Sequence, residues 1–239
     1  MFQALKMKRA YSRLGAEERA ILEKPWVHKI RTIDLWNSPQ SEDLAFVQLE
    51  TQGGLFLQLR DAVLRAPKHA ACLQLTDSDA LFGMYALYQG VGTLRVVDVC
   101  GHVPGHEEWH LDQARIAAQV AGRGVQCRFD RVGVTEIEGH YSVGICANVL
   151  ENLADPAAAL VHLRKVVVGS LVIHSVTPLA NVAEFMEVGP GVRPWGSRFS
   201  HDALIAMVVE AGWSVVNENY KHLPMDWPGD RKLTFLHCV

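Results

Sequence analysis

The sequence lacks the features that would place this chain in a membrane or in a secreted scaffold. No stretch of its 239 residues approaches the roughly 18 uninterrupted apolar residues of a membrane-spanning helix. The N-terminal segment MFQALKMKRAYSRLGAEERA carries charges throughout and has no apolar core of the signal-peptide type. The five cysteines are scattered and form no CxxC pair, which is typical of reduced, mostly buried thiols. These absences predict a cytoplasmic protein with no membrane contact.

The chain also lacks an excess of positive charge. Its formal net charge is −3, whereas a protein that binds a phosphate backbone is usually basic, so we expect no nucleic-acid partner. The hydrophobic fraction of 49% and the charged fraction of 21% are those of an ordinary folded protein, which excludes a disordered tail. A chain of this length can hold one α/β domain of usual size or two small domains.

The N-terminal part of the chain has a helical pattern. The first 24 residues read as a helix that Pro25 ends, and a second helical run covers about 41–65 with an interruption near Gly53 and Gly54. Between them lies an irregular aromatic stretch, WVHKIRTIDLWNSPQ. We therefore predict an N-terminal helical cap over residues 1–67.

The remainder of the chain, residues 68–239, alternates between strand and helix patterns. The predicted strands are Ala71–Leu75, Leu94–Val99, Val125–Phe129, Tyr141–Ala147 and Val167–Val176, followed by the strand-like runs WSVVNENY and KLTFLHCV. The predicted helices are Ala80–Gln89, Leu111–Ala121, one that starts at Pro156, and Ser200–Ala211. This alternation predicts an α/β fold with a doubly wound, seven-stranded, mostly parallel sheet. Because no helix pattern separates the last two strands, they are expected to form an antiparallel hairpin at the sheet edge.

Helix ends give local support to these assignments. Asp155 can accept hydrogen bonds from the first N–H groups of a helix, and Pro156 fits its first position because the N–H it lacks would be unpaired there. Ser200 is expected to cap the last helix, and Gly212 can close it in the left-handed conformation.

The order of these elements resembles that of the class I methyltransferases that use S-adenosylmethionine (SAM). The run CLQLTDSDALFGMYAL resembles the first strand and cofactor loop of that family, and LRVVDV, ending at Asp98, resembles its second strand. YSVGICANVLENLADP, SLVIHSV and RPWGSRFSHDALIAMVVEAGW resemble its fourth strand, fifth strand and late substrate loop. The N-terminal WVHKIRTIDLW is similar to a segment of the branch that includes tRNA wobble-uridine carboxymethyl transferases. The resemblance implies a Rossmann-like methyltransferase fold over residues 68–239.

The resemblance also implies where ligands would bind. Asp98 would hold the ribose hydroxyls of SAM; the alternative is a solvated turn residue or a cap. The other cofactor-contacting positions would be Leu75, Thr76, Asp77, Ser78, Ala80 and Asn148. Substrate contacts would fall on Trp26, His28, Glu151, Arg193 and Trp195. The two tryptophans have an alternative, which is to anchor the cap by apolar burial.

The predicted cofactor loop departs from the pattern of the resembled family. Where the family has acid-x-Gly-x-Gly-x-Gly, this chain has Gln74 followed by Thr76, Ser78 and Ala80. Glycine permits positive φ and close backbone approach to a ligand, whereas β-branched threonine is poor at both. The departures favour a protein with a degenerate SAM site: a non-catalytic or repurposed member that acts as a partner subunit or binds another small ligand, with a homodimer as one possible assembly. The alternative is an active SAM-dependent methyltransferase that acts on a small-molecule acceptor. No catalytic residue is predicted.

One short motif offers different chemistry. His106 to His110 match HExxH, a zinc-binding pattern on helices, and His102 lies nearby. Because Pro104 and Gly105 place the motif at a helix start or in a loop, we interpret the segment as a polar lid over the ligand crevice. The prediction is therefore that no metal is bound.

Overall fold

The architecture was obtained as a computed structural model, which describes residues 9–24, 54–76, 80–99, 109–178, 199–222 and 231–239. Its centre is a seven-stranded sheet. The strands are β1 (Ala71–Thr76), β2 (Thr93–Asp98), β3 (Cys127–Arg131), β4 (Tyr141–Ala147), β5 (Val167–Pro178), β6 (Val215–His222) and β7 (Arg231–Cys238). The inner strands β1 and β4 are buried almost throughout, as expected for apolar runs covered on both faces.

The strand order is β3-β2-β1-β4-β5-β7-β6. Strands β1 to β5 run parallel to one another, whereas β7 is antiparallel to both β5 and β6. The prediction of a mostly parallel sheet with an antiparallel C-terminal hairpin is confirmed. Strand β6 forms one edge because the last strand, β7, inserts between it and β5.

Helices cover the sheet on both faces. They are α1 (Ala16–Leu22), α2 (54–65), α3 (Leu81–Gln89), α4 (Trp109–Val120), α5 (Pro156–Val166) and α6 (His201–Glu210). Buried side chains of α2, α3 and α4 form one apolar core with the sheet, and those of α5 and α6 form another on the opposite face. Helix α2 is tied to the sheet by Gln58, whose Nε2 donates to the Phe235 carbonyl at 3.2 Å. Its buried face, with Leu55 and Leu59, is therefore part of the core of the α/β layer.

The predicted continuous helix over the first 24 residues is wrong in its described part. Residues 9–12 are helical, the chain then turns, and α1 starts again at Ala16. Gly15 has the extended backbone of a helix start, and its N–H donates to Glu18 Oε2 at 3.0 Å, which favours a new N-terminus there. Helix α1 packs against α4 through Leu22, and Gln113 Nε2 of α4 donates to the Lys24 carbonyl at 2.9 Å.

The predicted helix ends on the C-terminal half are confirmed. Asp155 Oδ1 accepts from the Ala158 N–H at 2.8 Å with Pro156 in the first helical turn, and Ser200 Oγ accepts from the Ala203 N–H at 3.1 Å. Gly212 has φ +87°, the left-handed conformation that closes α6. The strand predicted at Val125–Phe129 starts later, at Cys127, because the preceding residues form a 3-10 turn.

Within the described residues, no helix is long and apolar enough to span a membrane. Four of the five cysteines are described, and all four carry free thiols. Burial raises the pKa of the Cys127 thiol to about 11 and that of Cys238 to about 12. These thiols are therefore protonated and unreactive at neutral pH.

A buried histidine lies near the carboxyl end of β7, under helix α2. His237 Nε2 hydrogen-bonds with Ser170 Oγ at 3.0 Å, and its Nδ1 lies 3.4 Å from Asp61 Oδ2, which also pairs with Arg65. Burial lowers the pKa of His237, an effect that Asp61 opposes and Arg65 reinforces. The folded protein therefore favours the neutral imidazole.

We predict that this histidine makes the stability of the fold sensitive to mild acid. Because the folded pKa lies below the ordinary value of about 6.5, the unfolded chain binds more protons, and the free energy of unfolding falls as pH drops below about 6.5. His237→Gln should show a shallower fall between pH 7 and pH 5 in urea unfolding followed by circular dichroism. Equal slopes for the two proteins would contradict this role of His237.

Candidate functional site

Several predicted site residues gather where parallel strands of the sheet end. The carboxyl ends of β1, β2 and β4 lie side by side, and the crevice outside such ends is where open α/β sheets bind ligands. Thr76 and Asp98 are the last residues of β1 and β2, and Asn148 follows β4 directly. Asp77, Ser78, Trp26, His28, Arg193 and Trp195 lie outside the described residues, so their roles stay predictions.

The first strand and the helix that follows it are joined by a buried side-chain hydrogen bond. Gln74 Oε1 accepts from the N–H of Gly83, in the first turn of α3, at 2.6 Å. The N-cap residue of this helix is Ala80, which has no side-chain acceptor, so the glutamine satisfies an N–H that would otherwise be unpaired. Gln74 lies at the position where the resembled family has its acid, and in this chain its amide oxygen accepts a hydrogen bond from helix α3.

Gly83 allows helix α3 to lie close to the sheet. A Cβ at this position would meet Gln74 Oε1 at 2.6 Å and Leu94 Cδ1 at 2.6 Å. Ala80, at one of the loop positions where the resembled family has glycine, has φ −97°, a value open to any residue. Among the described residues of this segment, Gly83 within the helix is a position where a side chain would not fit. The sequence analysis missed it because a glycine inside a helical pattern has no loop signature.

Two of the predicted cofactor positions are strand residues in the interior. Leu75 is fully buried and belongs to the core on the α5 and α6 face. Thr76 is buried as well, and its carbonyl accepts from the Val99 N–H at 3.4 Å, which continues the pairing of β1 and β2. Because the side chains of Leu75 and Thr76 are buried, a ligand at the strand end would contact their backbone.

Asp98 is buried in a charged cluster at the ends of β2 and β3. Its side chain is only 2% exposed, which contradicts the alternative of a solvated turn residue. The parallel register pairs Asp98 with Arg131, and Arg131 Nε lies 3.5 Å from Asp98 Oδ2. The guanidinium also approaches Asp112 Oδ2 on α4, at 3.7 Å from Nη2. The sequence analysis did not consider Arg131, because only the strand register brings it beside Asp98.

Asn148 has a strained backbone and an unused acceptor. Its φ is +54°, in the left-handed region that asparagine tolerates better than most residues. Its N–H donates to the His174 carbonyl at 2.8 Å, and its own carbonyl accepts from Asn152 Nδ2 at 2.9 Å. Its side-chain Oδ1 is buried and has no hydrogen-bond partner among the described residues. Strain of this kind often marks a ligand site, and Oδ1 could accept from a ligand donor.

The predicted substrate residue Glu151 lies in a 3-10 turn, Leu150–Asn152, that follows β4. Its Oε2 accepts from Ser175 Oγ of β5 at 3.0 Å. This bond places a carboxylate beside the carboxyl end of β5, next to Asn148 in the chain. Asn152, in the same turn, is buried and holds the Asn148 carbonyl, so its role is to position the turn.

A second polar cluster, which the sequence analysis did not detect, lies between α6 and the C-terminal hairpin. His201, the first residue of α6, hydrogen-bonds through Nδ1 with Thr234 Oγ1 at 3.0 Å and through Nε2 with Glu218. Thr234 Oγ1 in turn hydrogen-bonds with Thr177 Oγ1 at 2.9 Å. Because both ring nitrogens are engaged, this imidazole joins α6 to strands β6 and β7 and is not presented to a substrate.

The HExxH segment lies mostly outside the described residues. Its last histidine, His110, is buried near the start of α4, whereas His102 and His106 are not described. In the part of the chain that the structure describes, no group of three histidine, cysteine or carboxylate side chains could hold a metal ion.

Comparison with solved structures identifies the fold. The N-terminal domain of EvdMO1, solved with S-adenosylhomocysteine (SAH) bound, is 14% identical with a TM-score of 0.63, over 92% of this chain and 94% of that one. The [4+2]-cyclase SpnF is 11% identical with a TM-score of 0.60, over 77% of this chain and 79% of that one. The magnesium protoporphyrin IX methyltransferase ChlM from Synechocystis PCC 6803, also with SAH bound, is 17% identical with a TM-score of 0.54, over 80% and 87%.

These similarities define the class of fold to which the chain is related. It is the class I methyltransferase fold, as the sequence resemblance implied, and the fold prediction is confirmed. No protein-family model matches the sequence, and no curated protein matches it either. At identities this low the similarity extends to the fold, and function has to be argued from the site.

The described residues do not fit a SAM molecule held in the way that the resemblance implies. A ribose diol would donate to the Asp98 carboxylate, but that side chain is only 2% exposed and Arg131 Nε lies 3.5 Å from its Oδ2. At the end of β1, the amide of Gln74 already accepts from the first turn of α3. The two polar anchors of the implied site are therefore used within the protein itself.

We predict that Gly83→Ala destabilises the protein by about 1–3 kcal/mol, because the added methyl group must displace Gln74 or Leu94 from a packed site. Gly133→Ala is the matched control, since its backbone has φ −62° and its new Cβ would find the nearest atom at 3.6 Å. The control should stay within about 0.5 kcal/mol of the wild type in thermal or urea unfolding. Equal stability of the two variants would mean that α3 does not pack as closely as described.

Proposed function

We propose that this chain is a methyltransferase-fold protein that does not bind SAM in the usual way and uses the crevice at the ends of β1, β2 and β4 for another small ligand or for a partner protein. The observation that carries the proposal is the hydrogen bond between Gln74 and Gly83. At the position where the resembled family has an acid, this chain has the amide of Gln74. Its Oε1 accepts a hydrogen bond from helix α3 of the same chain. A non-catalytic or repurposed member of the fold is the function that this geometry supports best.

Proteins with this fold include one that is named for a reaction other than methyl transfer. SpnF shares the fold and is a [4+2]-cyclase. A scaffold of this kind can therefore serve chemistry outside methyl transfer, since the residues grafted onto its strand ends determine the reaction. In this chain those ends carry Asn148 with its buried acceptor and Glu151 with its carboxylate, both suited to a ligand that donates hydrogen bonds.

The second candidate is an active SAM-dependent methyltransferase with a small-molecule acceptor. It is favoured by the position of Asp98 at the end of β2 and by the presence of SAH in the EvdMO1 and ChlM structures. For Asp98 to hold a ribose, its buried side chain would have to become accessible, and the ribose would have to share the carboxylate with Arg131 or displace it. The second candidate therefore requires a rearrangement that the first does not.

The finer parts of the proposal come from the sequence. The similarity of the N-terminal segment to the wobble-uridine carboxymethyl transferase branch lies in residues outside the described ranges. The net charge of −3 weighs against a tRNA substrate. We therefore propose that the protein is cytoplasmic and that its partner is a small molecule or another protein. A homodimer is one assembly in which it could act as a partner subunit.

Calorimetric titration of the purified protein with SAM and with SAH tests the proposal directly. We expect no heat of specific binding at ligand concentrations up to about 1 mM, which corresponds to less than about 4 kcal/mol of binding free energy. The N-terminal domain of EvdMO1 is a suitable positive control, because it has been solved with SAH bound. Saturable binding of either ligand in the micromolar range would overturn the proposal and favour the active methyltransferase.

A further inference from the structure

The ends of β2 and β3 carry three charges that interact with one another. Arg131 Nε lies 3.5 Å from Asp98 Oδ2, and Arg131 Nη2 lies 3.7 Å from Asp112 Oδ2. The three side chains differ in burial: Asp98 is 2% exposed, whereas Arg131 and Asp112 are about two-fifths exposed. Arg131 therefore bridges the buried carboxylate of Asp98 in the sheet and the more exposed carboxylate of Asp112 on helix α4.

This arrangement follows from backbone register. Asp98 and Arg131 are direct partners in the parallel pairing of β2 and β3, so their side chains project on the same face of the sheet. Asp112 lies in the first turn of α4, which packs on that face. A ligand that takes the place of Arg131 beside Asp98 must therefore move the guanidinium away from two carboxylates that attract it, those of Asp98 and Asp112.

The buried acid depends on the arginine electrostatically. A carboxylate out of contact with water is costly unless it is paired and hydrogen-bonded. A ribose diol is a neutral donor, so a ligand that displaced Arg131 would replace a charged partner of Asp98 by an uncharged one. The binding free energy of such a diol is therefore reduced by the difference in strength between the ion pair that is lost and the neutral hydrogen bonds that are gained.

The same charges argue against an anion site at Arg131. With both aspartates ionised, the cluster carries two negative charges and one positive charge, and a phosphate would meet two carboxylates around a single guanidinium. Arg131 therefore does not give an anion a net positive site.

We infer that Arg131 is the specificity-determining residue of the crevice: it holds Asp98 and excludes nucleoside ligands whose ribose diol needs that carboxylate. This inference rests on the proposed function, in which the crevice serves a ligand other than SAM. It goes further by naming the residue responsible and the chemical class that is rejected. Arg131 acts by positioning a charge against Asp98 and takes part in no reaction.

The experiment compares SAH and adenosine binding to the wild type and to two arginine variants of the same strand. Arg131→Met removes the guanidinium and keeps most of the side-chain length. Arg128→Met is the matched control, because Arg128 is also on β3 but is 68% exposed and pairs with Asp130. Binding is measured by calorimetry on full-length protein, after circular dichroism and thermal unfolding have shown that each variant is folded.

We expect Arg131→Met to bind SAH and adenosine at least about tenfold more tightly than the wild type, or to show binding where the wild type shows none. Arg128→Met should behave as the wild type. The double variant Asp98→Asn/Arg131→Met should lose the gain, since the gain acts through the carboxylate. If Arg131→Met is poorly folded because Asp98 has lost the charge of Arg131, Arg131→Gln keeps a donor beside Asp98 and should give a smaller gain in the same direction.

The outcomes separate this inference from the proposed function. Unchanged affinity in folded Arg131→Met and Arg131→Gln would overturn the inference, as would a gain that persists without the Asp98 carboxylate. Micromolar binding of SAH by the wild type would overturn the proposed function. In that case a further tightening in Arg131→Met would show that Arg131 weakens the binding of diols without excluding them, and the absence of tightening would refute any such effect of Arg131.

Discussion

The contact between helix α3 and strand β1 is the constraint on which the candidate site depends. Gly83 lets the helix lie against the sheet, and its N–H donates to Gln74 in the strand. An amide and a missing side chain thereby determine where the N-terminal turn of α3 stands above the ends of β1 and β2. In open α/β sheets this turn is a place where ligands are held, because its N–H groups are unpaired. Here Gln74 of the strand accepts from one of those N–H groups, and Ala80 at the N-cap has φ −97°, which requires no glycine.

The Asp98 cluster follows the same logic on the neighbouring strands. In both places a group that could face a ligand has a partner within the protein: Gln74 binds a helix N–H, and Asp98 pairs with Arg131. The β4 end differs, because Asn148 keeps a strained backbone and a buried acceptor with no partner among the described residues. Strain and an unsatisfied acceptor have an energetic cost, and such features persist where they serve a site. Among the described residues, a buried acceptor without a hydrogen-bond partner therefore lies at the end of β4.

Sequence reasoning succeeded where the relevant physics is local and failed where it depends on register. The Asp155 cap and the positive φ of Gly212 are each decided within a few residues, and both were predicted correctly. The N-terminal helix was predicted without its break at Gly15, because a single glycine inside a helical pattern is a weak signal. The Asp98–Arg131 pair and the His201–Thr234 bond each join residues more than thirty positions apart, and no periodicity predicts such a contact.

By itself, the sequence determined the class of fold, the order of strands and helices along the chain, and the absence of glycine and of an acid at the positions where the resembled family has them. These properties depend on composition and spacing, which can be read along the chain. Only the tertiary structure decided what these residues contact: that Gln74 accepts from the Gly83 N–H of α3, that Gly83 allows α3 to lie close to the sheet, and that Arg131 pairs with Asp98. The physical reason is that hydrogen bonds and ion pairs act over a few ångströms in space. Strand register and helix packing bring those partners together, and they are set by the burial of the whole sheet rather than by any one segment.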